Sequence, residues 1–456
     1  MQDFWLTMDV SLLIIIISYI SMITIIGMYA KKKISSPTSF FLANRSLKTF
    51  PLTATLTATT IGGSATIVAG GRIFADGLPA LWYDLGGVIG LFILSISLAK
   101  LVRETKCITL PDIINKIYDD KTRNISAFLI IITEIAWVAL LIQAASLILS
   151  VVLEIDTTIL LIVISIAFIL YTLLGGQFAV VYTDIIQFII MVIGICVIAT
   201  PLIFIEALPH LSLLSSQQLS FPINDSIGVI PMGSILFMMM MPHIVGPDIY
   251  GKLLSAKSEK IARNATLYTS ALKLIFALAI AVIGLSAAAI PSLQQQITTP
   301  ALAIPIAFSS LPTFLAGIVL AAFLSVMISS ADSCLLSAGT IFSVDILKNG
   351  SIRSSQIGII ITGASALILA IYHSLLGSIL NTLELAYTVF TAGLTLPVIF
   401  GLYKHKTKVT SKGALYSILL GGILSLIILQ IKTISTYAVL IGLLASLIPL
   451  VVFRDE

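Results

Sequence analysis

The side chains able to do chemistry in this 456-residue chain are few, and most sit inside apolar stretches. Ser329 and Ser330 are adjacent, with Val326 one turn earlier. Hydroxyls beside a helix carbonyl offer oxygen ligands to a hard monovalent cation. The plainer alternative is serine bonding back to the preceding turn. Asp184, Asp84 and Lys273 are charges within apolar runs. Such charges are costly in a membrane and serve an ion pathway or a salt bridge. An acid and a base like Asp84 and Lys273 could hold hydroxyls or a zwitterion, or pair with each other. His243 follows the methionine run Met238–Met241 and Pro242. It reads as a packed or hydrogen-bonded residue, and the methionines as packing before pocket lining. Glu134 and Glu384 read as structural or cavity-facing, and Asp332, just after the serines, has an open role. No metal-ligand cluster, nucleophile motif or phosphate loop is present, so no enzyme is expected.

These residues need elements to hold them, and composition says which. The chain is 58% hydrophobic and 10% charged, with mean hydropathy +1.11. Soluble domains carry about 25% charged residues, so a soluble fold is excluded. The +4 balance lies in short loops, which excludes nucleic-acid binding. Cys107, Cys196 and Cys334 show no disulfide or metal spacing.

Apolar segments recur at 10–30, 49–71, 78–102, 124–152, 157–180, 183–206, 228–250, 266–290, 305–340, 357–380, 384–403, 410–431 and 435–453. Each is about long enough to span a bilayer as helix. The first is followed, not preceded, by Lys31, Lys32 and Lys33, so it reads as a retained helix rather than a signal peptide. With 13 alternating spans and the N-terminus outside, 22 of the 25 basic residues fall on one side. Only Arg72, Lys273 and Lys432 fall elsewhere. The positive-inside rule makes that side, and the C-terminus, cytoplasmic.

Two spans are abnormal. In segment 51–71, 15 of 21 residues are Thr, Gly, Ala or Ser, with Gly62-Gly63 in the middle. It is either a close-packed interior helix or an unwound one whose carbonyls bind an ion. Segment 228–250 contains Pro231, Gly233, Pro242, Gly246 and Pro247. Each abnormal segment opens a set of five spans, which is the pattern of an inverted-repeat transporter. The chain then divides into an extra helix with its loop (1–48), a first five-helix repeat (49–206), an outer loop (207–227), a second repeat (228–404) and two extra helices (405–456). Asn224-Asp225-Ser226 in the outer loop matches a glycosylation triplet by chance composition.

The stretch Tyr171-Thr-Leu-Leu-Gly-Gly-Gln-Phe-Ala-Val-Val-Tyr-Thr-Asp-Ile-Ile-Gln187 resembles the signature of the sodium:solute symporter family, GG-x-x-AV-x-x-TD-x-x-Q, at every fixed position. Ser329-Ser330 through Thr340-Ile341-Phe342 to Asp345 is similar to that family's sodium-site helix. The resemblance implies an all-α polytopic membrane protein with a leucine-transporter-type core of five plus five inverted helices. It implies sodium-driven uptake of a small organic solute by alternating access. It also implies a sodium site formed by the carbonyls of Ala58, Ile61 and Val326 with the hydroxyls of Ser329 and Ser330. Asp184 would lie on the ion's route to the cytoplasm. Asp84 and Lys273 fall where the sugar-transporting branch contacts substrate, and Thr60 where the proline branch has an aspartate. The sugar branch's glutamine-glutamine-arginine pattern is absent: Gly246-Pro-Asp-Ile-Tyr-Gly-Lys252 stands there. Neither branch is reproduced, so the solute is left open.

The expected partners are the solute, a sodium ion and the lipid bilayer, with no obligatory protein partner. The expected home is a cell (inner) membrane. A proton-coupled symporter, with Asp184 or Asp332 carrying the proton, and a solute-sensing receptor are the competing expectations.

Overall fold

A computed structural model describes residues 10–173, 175–376 and 379–455. Helices dominate, and among the described residues 11 are long and apolar enough to cross a membrane. A helix pair bent by 60° makes a twelfth span. The remaining apolar segment is a 17-residue helix, Thr157–Leu173.

We number the apolar helices in chain order. The first, α1, is Val10–Lys31. The bent pair is α2, Thr49–Thr60, and α3, Ser64–Asp76. Then come α4, Trp82–Ser97, α5, Asp120–Leu153, α6, Thr157–Leu173, and α7, Gly176–Met191. A second interrupted pair follows: α8, Val229–Val245, and α9, Pro247–Leu254. The rest are α10, Glu259–Ala289, α11, Thr313–Ile341, α12, Ile352–Leu376, α13, Ile379–Leu402, α14, Ser411–Leu429, and α15, Ala438–Val452.

The burial pattern is that of a membrane bundle. Ile17, Ile25, Ile159, Val163, Leu170 and Ile423 are exposed, while Thr55, Thr57, Asp184, Lys252, Lys273 and Ser329 are buried. Without water, each backbone and side-chain polar group must find its partner inside the protein. The small residues of α2 and α3 permit close approach. Helix α2 packs against α7, α10 and α11, and α11 packs against α5 and α7. The first broken pair therefore lies at the centre, and α9 of the second packs against α2 and α11.

Several boundaries differ from the sequence expectation. The apolar run 157–180 is not one helix: α6 ends at Leu173 and α7 begins at Gly176. Gly176 has φ +54, and a Cβ there would lie 2.6 Å from the Phe40 ring and carbonyl. Only glycine tolerates both the left-handed backbone and that contact. The second interrupted helix breaks at Gly246, in extended backbone, while Pro242 stays inside α8. Segment 305–340 divides at Pro312 into a short helix, Ala303–Ser309, and α11. The loop 207–227 is built rather than open. Trp82 stacks on Phe221 at 5.6 Å and donates to the Pro222 carbonyl. Asn224 Nδ2 donates to the Asp76 carbonyl at 2.6 Å, which caps the end of α3.

The end of the bundle that carries the basic loops is tied together. Arg45 donates to the carbonyls of Leu254, Lys106 and Cys107. Arg103 donates to the Ala256 carbonyl at 2.6 Å. Arg123 and Thr109 both hold Asp345, at 2.8 and 2.6 Å.

Replacing Gly176 by alanine should lower thermal stability by about 1–2 kcal/mol or more, since the left-handed conformation alone costs that much. Melting of the detergent-solubilised variant measures it. An unchanged melting temperature would mean that Phe40 and the turn relax at no cost.

Candidate functional site

The site begins with an end effect. The last four carbonyls of a helix have no intrahelical partner. At the end of α2, Thr57 O accepts the Ile61 N–H at 3.2 Å. The next three carbonyls accept from other helices. Ser329 Oγ donates to Ala58 O at 2.8 Å, Ser330 Oγ to Thr59 O at 2.9 Å, and Lys273 Nζ to Thr60 O at 2.6 Å. Ser329 Oγ also lies 3.4 Å from Val326 O. Ala58, Val326, Ser329 and Ser330 are thus brought to one place. Ile61 occupies the break itself, with φ −102 and ψ 82. Ser330 reaches the carbonyl of Thr59, a residue that sequence reasoning did not single out. A Cβ on Gly62 would lie 3.2 Å from Ser330 Oγ, so α11 lies close against the break. The nest contains only hydroxyl and carbonyl oxygen, at the negative end of a helix dipole. Both features suit a hard cation.

Next to it lies a buried charge cluster. Lys252 Nζ is 2.8 Å from Asp184 Oδ2, and donates to Thr55 Oγ1 at 2.6 Å and Thr55 O at 3.3 Å. Thr55 Oγ1 donates to the same carboxylate oxygen. Asp184, Thr55 and Lys252 are each 0–1% exposed. Asp332 lies within electrostatic reach of both Asp184 and Lys252. Its Oδ1 is 3.4 Å from Ser333 Oγ, and its Oδ2 has no hydrogen-bond partner. Ser333 in turn bonds Thr59 Oγ1 at 2.9 Å and the Ser329 carbonyl at 2.8 Å. The serine pair and the acid cluster are therefore directly linked.

Lys252 corrects the sequence reading, which counted it among the charges of a loop. Helix α9 continues to Leu254, which carries Lys252 into the bundle. The available signal was its spacing: four residues after Asp248, it lies on one face with a second acidic residue.

Asp84 and Lys273 sit together, 3.6 Å apart and 1% and 2% exposed. The ammonium of Lys273 also holds the Thr60 carbonyl. His243 Nδ1 bonds the Met239 carbonyl at 2.7 Å. Thr60 Oγ1 donates back to Leu56 O at 2.8 Å, so it serves its own helix. A cavity of about 60 Å³ opens beside the break in α2, and Thr60 and Ser330 line it, whereas Asp84 and Lys273 do not.

A family model for the sodium:solute symporter family matches residues 40–421. The chain belongs to that family. Its members are membrane transporters that couple sodium to solute movement. It is 26% identical to the sodium/pantothenate symporter of Escherichia coli (strain K12), over 98% of this chain and 96% of that protein. It is also 26% identical to the high-affinity choline transporter 1 of Drosophila melanogaster, over 73% of this chain but only 56% of that protein's length. A solved sodium-coupled sialic acid symporter, in a substrate-bound outward-open state, superposes with TM-score 0.80 at 18% identity and 97% coverage of both chains. The fold is thus the leucine-transporter type that the family motifs imply.

Lys252→Met should destabilise the protein by about 3–5 kcal/mol, because it leaves Asp184 buried without its cation. The double variant Lys252→Met, Asp184→Asn should recover most of that loss. Thermal unfolding of the single and double variants measures the coupling. Independent, additive losses would remove the ion pair from the account of the core.

Proposed function

We propose that sodium occupies the nest at the end of α2, held by the carbonyls of Ala58, Ile61 and Val326 and the hydroxyls of Ser329 and Ser330. The observation that carries this is the convergence of Ser329 and Ser330 on the carbonyls of Ala58 and Thr59 at 2.8 and 2.9 Å. The two hydroxyls now donate to those carbonyls. A cation entering between them takes over the carbonyl lone pairs and turns the hydroxyl oxygens toward itself. It thereby ties α2 to α11. Ser330 also lines the cavity, so filling the ion site fixes one wall of the solute site.

In this reading the protein moves a small organic solute inward across a cell (inner) membrane by alternating access. The two interrupted helix pairs belong to the repeats 49–206 and 228–404, with 1–48 and 405–456 as additions and the N-terminus outside. The basic end is the cytoplasmic gate, tied by Arg45, Arg103 and Asp345. Sodium leaving toward that end passes Asp184, and Lys252 has to release the carboxylate for this to happen. One charge crossing 100 mV yields about 2.3 kcal/mol. A tenfold sodium gradient adds about 1.4 kcal/mol. Together, about 3.7 kcal/mol supports accumulation of several hundredfold per sodium at about 1.4 kcal/mol per tenfold.

One observation favours a second reading. Asp184 and Asp332 share a single ammonium, and Asp332 Oδ2 is unpartnered. A proton on Asp332 would supply the missing charge. Sodium dependence at fixed pH separates the two couplings.

Sodium should raise the melting temperature saturably against potassium at constant ionic strength. A ligand at 100 times its Kd stabilises by about 2.7 kcal/mol. The Ser329→Ala, Ser330→Ala variant should lose this response. A sodium response that survives the double substitution places the ion elsewhere. No response in the wild type, with uptake that follows pH alone, favours the proton reading.

A further inference from the structure

The transporter reading leaves the solute open, and the cavity narrows it. Its walls come from the break between α2 and α3 and from α5, α8, α9, α11 and α13. Among its lining residues there is no arginine, lysine, asparagine or glutamine. The nitrogen base on the wall is His243, whose Nδ1 is taken by the Met239 carbonyl, so an anionic solute would meet no lysine or arginine, and a sugar none of the amides that bind neighbouring hydroxyls as pairs. The carboxylate that lines the cavity is Asp248, in the first turn of α9. Its carboxylate accepts backbone N–H groups at the start of α9 and feels the charge of Lys252, but among the described residues no lysine or arginine bonds it directly. Lys252 is held by Asp184 and Thr55, and Lys273 by Asp84 and Thr60. A second acid, Glu134, stands behind the wall beside Cys334 and Ser337, within electrostatic reach of Asp248. It is fully buried, with the Ser337 hydroxyl and the Cys334 thiol as its neighbouring donors and no cation paired with it among the described residues.

The other walls fit the same kind of ligand. Trp137 and Tyr387 both line the cavity, with ring centroids 5.4 Å apart and tilted by 61°. Aromatic faces attract a cation within about 6 Å, most strongly when it is desolvated. Trp137 is 7% exposed, and its indole N–H has no partner. A buried unpaired donor costs about 1–3 kcal/mol, so it calls for an acceptor on the ligand. At the same wall Ser64 Oγ and Tyr387 OH lie 3.2 Å apart.

We propose that the solute is a small organic cation or zwitterion with a positively charged nitrogen and an oxygen acceptor. The nitrogen lies against Asp248 and the faces of Trp137 and Tyr387. The oxygen accepts from the Trp137 indole N–H. This rests on the transporter reading, because it takes this cavity as the solute site.

The test is melting of the full chain in detergent, in saturating sodium or potassium chloride. Choline, ethanolamine and glycine betaine form one arm. The other holds glucose, lactate and the uncharged isostere of choline, in which a tert-butyl group replaces trimethylammonium. At least one ammonium compound should raise the melting temperature in sodium, and the isostere should not. Asp248→Asn should raise its half-saturating concentration at least about tenfold, the scale of a hydrogen bond to a charged group. Trp137→Phe keeps an aromatic face but loses the indole N–H, and should cost about fivefold. The inference is overturned if the isostere raises the melting temperature as much as the active ammonium compound, if none of the three ammonium compounds acts, or if Asp248→Asn leaves the affinity unchanged. A sodium response without an ammonium response overturns this inference and spares the sodium site. An ammonium response without a sodium response does the reverse.

Discussion

The structure turns on one constraint: the carbonyls exposed when α2 stops in mid-membrane must each be satisfied without water. Three side chains from two other helices meet that need, Ser329 and Ser330 from α11 and Lys273 from α10. An unpaired buried carbonyl would cost several kcal/mol in hydrocarbon. The break therefore cannot exist without α10 and α11 in their places. The same contacts that hold the break together are those an entering cation would replace. On the proposed reading, stability and ion binding draw on one set of oxygen atoms.

Charge in the core follows from this arrangement. Asp84, Asp184, Asp332, Glu134 and Asp248 face two ammonium groups, those of Lys252 and Lys273. Each lysine is tied to one aspartate and one threonine carbonyl near the break. Negative charge is thereby left over on the side of α11 and of the cavity. A membrane interior does not hold several uncompensated carboxylates. Protons, a metal cation or a cationic solute must make up the difference, and in the proposed cycle the last two arrive in turn. The excess of acid is a reason for the core to prefer positive cargo.

Much of this was legible in the sequence because membrane helices are written in composition. The apolar segments, the glycine break at Gly62-Gly63 and the serine pair are local signals, and each reappears in the fold. What was hidden depends on how helices pack. Lys252 looked like a loop charge because Lys257, just beyond it, is one, and only the length of α9 carries it inside. The stop at Leu173 was masked by uniform apolarity on both sides of Gly175-Gly176. Gly175-Gly176 is itself a turn signal, but apolar residues on both sides let it pass as part of one long run. The pairing of Asp84 with Lys273 could be imagined from their signs but not placed, since 189 residues separate them. The contact of Ser330 with Thr59 depends on the rotation of α11, which a single sequence does not encode.

The arrangement also explains why ion and solute should be felt by each other. Thr59 bonds Ser330 through its carbonyl and Ser333 through its hydroxyl, and it lines the cavity. Ser333 reaches the Ser329 carbonyl and lies beside Asp332. One residue at the end of α2 thus touches the proposed ion nest, the acid cluster and the wall of the cavity. A cation that draws Ser330 from Thr59 frees a carbonyl at the cavity's edge and shifts α11 against α2. A solute that presses on the same wall opposes or favours that shift. Coupling of this kind needs no long pathway, only a helix end too short of partners to be indifferent to which one it has.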